Sequence, residues 1–505
     1  MKNIKEQKAG LQIQENLKKY AAPSTSDTQN TSGLSGNLYT LAVQAYIYAF
    51  PWLYLTELQW LWTSEAGKAI QEQGGGQAIY APINSFWHAP ELASSGTATG
   101  GSPNTDTLYS LAWCDLSEEP LVLSVPEVND RYYCIELSGI DSDTFGYVGV
   151  RATGTAAGNY LLAGPNWHGS VARYNEGKAT ADQILDVLPR PFYNSILLMG
   201  RTGITTGTQA DIEAANIIQQ QYTLTTLSDW VNGTSNSVPP KAQFPFDLTY
   251  SNTEDAWLTI NRAMTLCPPG VYPSIPQDQL IQLFAQIGIG PNQDLRTQSP
   301  ENLEILQRAA TDGLEILKKA SGSLGTIVNG WSYPPIYMGR SGQMGNYLAR
   351  GAFQALAGIT ANWTEEAVYL NTIVDSEGQN LSGSENYTIE FTEDSFPPFE
   401  SSNHGFWSIT MYNNNYQLVP DSVAYTVNSN ALQYRVRNSE GGMTILIQQD
   451  EPTDMPEGTY WLQSPTANES NDYNDGFFMI LRDYMPTPSV ASTQTWIPPS
   501  VTKTT

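Results

Sequence analysis

The chain has 505 residues, with 24 Lys and Arg against 50 Asp and Glu, for a net charge of −26. Hydrophobic residues make up 40%, enough for a sizeable core in two to four units at roughly 100–200 residues per domain. The negative balance repels phosphate backbones and anionic lipid, so nucleic acid and a membrane surface are not expected partners.

Cys114, Cys134 and Cys267 form no C-x-x-C pair. Their odd number in a chain this long argues for thiols rather than a disulfide framework. The N-terminal "MKNIKEQKAGLQIQENLKKY" lacks the apolar run and small-residue cleavage site of a signal peptide. Residues 1–36 read as an arm and a polar linker. The cytoplasm is the default location, with a virion or another secretion route left open.

Residues 37–205 read as a helical segment plus a first β unit. Leu38 to Trp62 is aromatic and nearly uncharged, but Gln44, Glu57 and Gln59 interrupt it and Pro51 sits in its middle. It reads as two buried helical pieces broken at Pro51, not as a membrane span. In "RYYCIELSG", Tyr133, Ile135 and Leu137 share one strand face, and Tyr132, Cys134 and Glu136 the other. "FGYVGVR" and "NYLLAG" continue the β signal.

Residues 206–345 read as a helical connecting region. Ile212, Ala215, Ile218 and Tyr222 recur at helical spacing within 210–230, and further helices fit 278–286 and 300–320. Residues 346–505 read as a helix over 347–361 followed by a second β unit, with strands at "YTIEF", "FWSITMY", "LQYRVR", "MTILIQ" and "FFMILRDY". This order predicts an α+β protein of two antiparallel β-sandwiches with helices before and between them.

The chain carries no G-x-G-x-x-G, no P-loop and no G-x-S-x-G elbow, so no cofactor is implied. His88, His168 and His404 are far apart, and "SNDYNDGFF" lacks the ligands of a calcium loop, so no metal is expected. Asp106, in "PNTDT", is either a turn carboxylate bonding nearby backbone or an acid/base group. Its neighbour Asn104 suits the same turn or a ligand. Tyr109 is a buried phenol or a substrate-orienting group. Arg131 pairs with an acid or binds an anion. Arg482 shares an apolar strand face with Phe478 and Ile480, so it needs a partner or walls a pocket. His88 and His404 lie on loops beside aromatics. Trp87, Trp167, Trp407 and Trp461 are core residues or a sugar-stacking platform.

The stretch "PNTDTLYSLAWCDLSEEPLVLSVPEVNDRYYCIELSG" resembles proteins that carry two domains of unknown function, 1254 and 1214, in tandem. The first pattern continues through "GPNWHG", "MGRTGI" and "QQQYTLTTLSDW". The second runs through "NYLARGAFQALAGITANWTEEAVY", "DSEGQNLSG", "FWSITMY", "LRDYMPTP" and "WIPP". Together they span about 38–500. The resemblance implies two jelly-roll-like sandwiches with helices, often as a homo-oligomer, in bacteria and large viruses. It assigns no reaction, so no catalytic residue carries over. The loops at 69–100 and 232–245 depart from the pattern.

Two functions fit. One is a small-molecule enzyme or binder using a cleft between the sandwiches, with Asp106, Tyr109 and His88 catalytic, and Asn104, Arg131, Trp407 and Arg482 holding the ligand. The alternative is a structural, virion or surface, or carbohydrate-binding protein without catalysis.

Overall fold

The computed structural model describes residues 33–73, 78–95, 101–180, 183–242, 253–270, 277–322, 324–419, 422–466 and 475–504. The N-terminal arm lies outside them up to residue 32, as does most of "SNDYNDGFF".

Helix α1 (Gly33–Thr63) runs unbroken through Pro51. The expected break is absent because burial outweighs it. A proline inside a helix costs about 3 kcal/mol. Phe50, Trp52 and Leu53 beside it are 0–1% exposed, and each fully buried apolar side chain returns about 1.5–3 kcal/mol. The helix is apolar all round and forms the centre of a bundle. No helix of the described residues is long and apolar enough to cross a membrane.

Helix α2 (Gln209–Gln219) starts at Thr208, whose side chain caps Asp211 N. The helical spacing expected to continue to 230 is interrupted there and resumes only in the short helix Leu227–Asn232. Tyr222 turns into the first β core, and the β-branched run Thr223–Thr226 pairs as a strand. Helices α3 (Thr253–Leu266) and α4 (Pro300–Ser321) pack on α1 through Trp257, Ile260, Leu306 and Leu314. Helix α4 has the full set of end signals: Ser299 as N-cap, Pro300 in the first turn, and Lys318 and Lys319 in the last. At Gly313 a Cβ would stand 2.7 Å from Cδ1 of Tyr46, so glycine lets α4 approach α1. The helix expected over 347–361 ends at Ala357 and is a π-helix over Arg350–Ala357.

The first sandwich is built from β1 (Trp87–His88), β2 (Thr107–Asp115), β3 (Leu121–Val125), β4 (Tyr133–Gly139), β5 (Thr144–Gly149), β6 (Gly158–Leu162), β7 (Ile184–Val187), β8 (Ser195–Gly203) and β9 (Thr223–Thr226). One sheet has the order β1-β2-β8-β4-β5, the other β7-β6-β3-β9. Ile135, Leu137, Ile196 and Leu198 of the first meet Leu121, Leu123 and Leu162 of the second.

The second sandwich comprises β10 (Thr326–Val328), β11 (Trp331–Tyr333), β12 (Ala367–Thr372), β13 (Tyr387–Phe391), β14 (Phe406–Asn413), β15 (Thr426–Asn428), β16 (Met443–Gln448), β17 (Thr459–Gln463), β18 (Phe477–Tyr484) and β19 (Val501–Lys503). Its sheets run β10-β11-β12-β18-β14-β15 and β17-β16-β13-β19. Val368, Leu370, Ile409 and Leu481 face Ile389, Ile445 and Ile447 between them. The expectation of purely antiparallel sheets needs one correction in each sandwich: β6 with β7, and β16 with β17, pair in parallel. "LQYRVR" is not a strand. Leu432–Tyr434 is a short 3-10 turn, and Arg435 reaches instead to the Thr205 carbonyl of the first sandwich at 2.8 Å.

The outer faces of β4 and β5 and of β12, β14 and β18 meet. Tyr132, Cys134 and Tyr147 pack there against Ala367, Phe406, Tyr484 and Met485. This seam holds most of the candidate residues.

Candidate functional site

Asn104 closes the turn before β2: its Oδ1 accepts from Asp106 N at 2.7 Å. Its Nδ2 donates to the Tyr484 hydroxyl at 2.7 Å, across the seam. The Asp106 carboxylate is fully buried, and its partners are not nearby backbone, as the turn reading expects. Ser408 Oγ donates to Oδ2 at 2.6 Å, Asn428 Nδ2 to Oδ1 at 2.9 Å, and the Tyr484 hydroxyl to Oδ2 at 3.4 Å. All three come from the second sandwich. Burial pushes the Asp106 carboxyl above its ordinary range, opposed by the charge of Arg482 and by these hydrogen bonds.

Arg482, on β18, is buried and well provided. It donates to Thr410 Oγ1 at 3.1 Å, to the Tyr412 hydroxyl at 2.7 Å and to the Ser102 carbonyl at 3.3 Å. Burial opposes its charge, but Tyr412, Tyr484 and Asp106 outweigh that and hold its pKa above the ordinary value.

Further along the seam, Glu136 on β4 pairs with Arg201 on β8 at 2.7 Å. Thr144 Oγ1 also donates to Glu136 at 2.6 Å. Arg201 Nη1 reaches Asn362 Oδ1 at 3.3 Å, and Nη2 contacts Met199 Sδ at 3.1 Å. Arg201 Nε is buried without a hydrogen-bond partner among the described residues. The half-buried Tyr109 ring lies 5.6 Å from the guanidinium, and Asn362 Nδ2 donates to the half-buried Tyr369 hydroxyl at 2.6 Å. Next to it, Glu366 accepts from Tyr132 at 2.8 Å and from Arg151 at 2.6 Å. Burial raises the Glu366 carboxyl despite Arg151.

The other sequence candidates lie elsewhere. His88 pairs with Ser110, Nδ1 to Oγ at 2.9 Å, and stacks on Phe86. Ser110 and Tyr109 are successive strand residues and point to opposite faces, so His88 does not join Tyr109 and Asp106. Burial lowers the His88 pKa. Arg131 donates to Asp211 at 2.8 Å and to Asp130 at 2.9 Å, tying β4 to the first turn of α2. Trp407 is 1% exposed and packs against the stacked pair Phe391 and Phe396 inside the second sandwich, so its buried ring offers no face to a sugar.

Sequence reasoning missed Glu136, Arg201, Asn362 and Tyr369. The available signal was a charged residue on each of two apolar strands, "CIELSG" and "LLMGRTG". It also missed a second buried node. Arg350, at the start of the π-helix, lies 4.8, 5.3 and 5.0 Å from the rings of Tyr48, Trp52 and Tyr347. It donates to the Tyr48 carbonyl at 2.5 Å and stands 3.7 Å from Asp141. Asp143 accepts there from Gln354 at 2.9 Å and from Gly342 N at 3.0 Å.

The fold and its polar seam define a class: two β-sandwiches, fused face to face and braced by a buried aromatic helix. Residues 83–226 match the protein of unknown function family DUF1254, and residues 366–488 match the protein of unknown function family DUF1214. The chain belongs to the family that carries these two domains in tandem. It resembles the crystal structure of the VPA0106 protein from Vibrio parahaemolyticus, with 20% identity, 93% of this chain and 100% of that chain covered, and a TM-score of 0.64. That likeness concerns the fold. An uncharacterised protein from Burkholderia cenocepacia aligns at 11% identity over 97% of this chain and 93% of that chain, with a TM-score of 0.41. Comparison with curated proteins gives no match.

Proposed function

We propose that the protein is a small-molecule binder or enzyme whose site lies in the seam around Arg201, with Tyr109 and Tyr369 as walls. Arg201 carries this reading. It is 4% exposed, yet its Nε hydrogen has no acceptor among the described residues. An unmet buried donor costs about 1–3 kcal/mol, more for a charged group, so a ligand carrying a carboxylate or another acceptor would gain by filling it. Glu136, held by Arg201 and Thr144, is the carboxylate placed to accept a proton there. In this reading Asn104, Asp106 and Arg482 hold the sandwiches in register instead of reacting.

A non-catalytic structural role is the second reading. The observation behind it is the closure of Asp106 by three second-sandwich side chains, which leaves the "PNTDT" segment no open carboxylate.

Mass spectrometry of small molecules released from untreated, denatured protein tests the proposal, alongside thermal shift with a panel of carboxylic acids. A near-stoichiometric small molecule, or a carboxylate that raises the melting temperature of the parent and not of Arg201→Gln, supports the seam site. Tyr109→Phe guards against misfolding of the arginine variant. No released molecule and no shift with any acid would leave the structural role.

A further inference from the structure

On the far side of the first sandwich from the seam, the outer face of β3 and β6 carries Val122 and Leu161 beneath Trp167, Val171, Val187 and Trp230. A groove of about 510 Å³ opens there, lined by Trp167, Ser170, Leu185, Asp186 and Arg190 among others. Its volume falls within the roughly 300–1,000 Å³ of small-ligand clefts.

The groove's composition selects its occupant. Leu185 is 54% exposed within it, a large apolar side chain left in water. The half-buried Trp167 ring lies close against Gly169, where a Cβ would overlap Cζ2, and the Trp167 backbone N–H donates to the Gly164 carbonyl at 3.1 Å. Arg190 lies 5.8 Å from that ring. The exposed side chains of Arg190 and Asp186 supply donors and acceptors with charges that cancel. An anion would gain one arginine there, next to a carboxylate and on a chain of net charge −26. A neutral polyhydroxylated ring can use every feature: its C–H face on the indole and Leu185, its hydroxyls on Arg190 and Asp186.

We infer that this groove binds a neutral saccharide, independently of any ligand in the seam. The test is native-gel affinity electrophoresis of the full chain through soluble starch, β-1,3-glucan, xylan and galactomannan, with alginate as the acidic arm. At least one neutral polysaccharide retards the parent and Tyr109→Phe equally. Trp167→Ala and Arg190→Ala bind it at least tenfold more weakly. Should Trp167→Ala fail to fold, Leu185→Asp at an exposed position replaces it, with the same loss expected. Retardation by alginate alone, by none of the five, or equally in Arg190→Ala overturns the inference.

Discussion

Ser408 of β14 donates a 2.6 Å hydrogen bond to Asp106, across 302 positions of the chain and from one sandwich to the other. With Asn428 at 2.9 Å on the second oxygen, the carboxylate is a three-dimensional latch between units that the sequence separates by most of its length. A double-mutant cycle checks it. Asp106→Ala and Ser408→Ala each lower the unfolding free energy measured in urea, Asp106→Ala by about 1–3 kcal/mol because donors are left unmet. Their coupling energy is about 0.5–3 kcal/mol, as for residues in one network. Additive losses would show that the latch carries no interaction energy.

The Asp143 carboxyl predicts how stability depends on pH. Burial and then the Asp141 carboxyl push it from 3.8 up to about 7, against Arg350, the Gln354 amide and the Gly342 N–H. The folded chain therefore keeps a proton that the unfolded chain releases between about pH 4 and 7. The native state binds more protons in that window, so stability is greatest at its acid end and falls as pH rises through it, by at most about 1.4 kcal/mol per pH unit. Burial also raises Asp106, Glu366 and Asp483, with the same sign. Urea unfolding should give a lower midpoint at pH 8 than at pH 5, and Asp143→Asn should narrow the gap. Equal midpoints in the parent, or an unchanged gap in the variant, would refute the assignment.

The alternation in "RYYCIELSG" was readable because a strand face repeats every second residue: Tyr133, Ile135 and Leu137 do face the sandwich core. What the other face meets was not readable. Tyr132 bonds Glu366, 234 positions away, and no local periodicity encodes a partner at that range. The same limit hid the partners of Asp106. Local rules failed where tertiary burial overrode them: at Pro51, where packing holds the helix together, and at Tyr222, where the β core claims a residue at helical spacing. The Arg201–Glu136 pair was half legible, since a charge on an apolar strand demands a partner but does not name it.

Pro51 offers a test of that override. Its ring withholds the N–H that Ile47 O would accept, and Ile47 O faces the π-helix, where a Cβ on Gly351 would stand 3.3 Å away. Pro51→Ala restores the donor. Proline is about 3 kcal/mol worse than alanine inside a helix, and losing two buried ring methylenes offsets part of that. The variant should be about 1–2 kcal/mol more stable by urea denaturation. A lower midpoint would mean that the ring's packing at this crossing outweighs the hydrogen bond.

Asp483 should be replaceable at a profit to stability. It points into the second sandwich, opposite Val368 and Trp407 in the β12–β18–β14 ladder, and is fully buried. Neither carboxyl oxygen has a hydrogen-bond partner among the described residues, and burial alone pushes its pKa well above 3.8. The folded protein therefore holds the carboxyl proton to higher pH than the unfolded chain does, and the polar atoms of the group are unmet. Both effects destabilise the native state at neutral pH. Asp483→Val keeps a strand-forming residue of similar size and removes both. Its unfolding free energy from urea denaturation at pH 8 should exceed the parent's by about 1–3 kcal/mol, with a smaller gain toward pH 4 as the protonation cost disappears. A gain of that shape would mark Asp483 as a residue retained for something other than holding the fold. A loss would mean that the carboxyl has a bonding partner, such as a buried water, that the apolar side chain cannot replace.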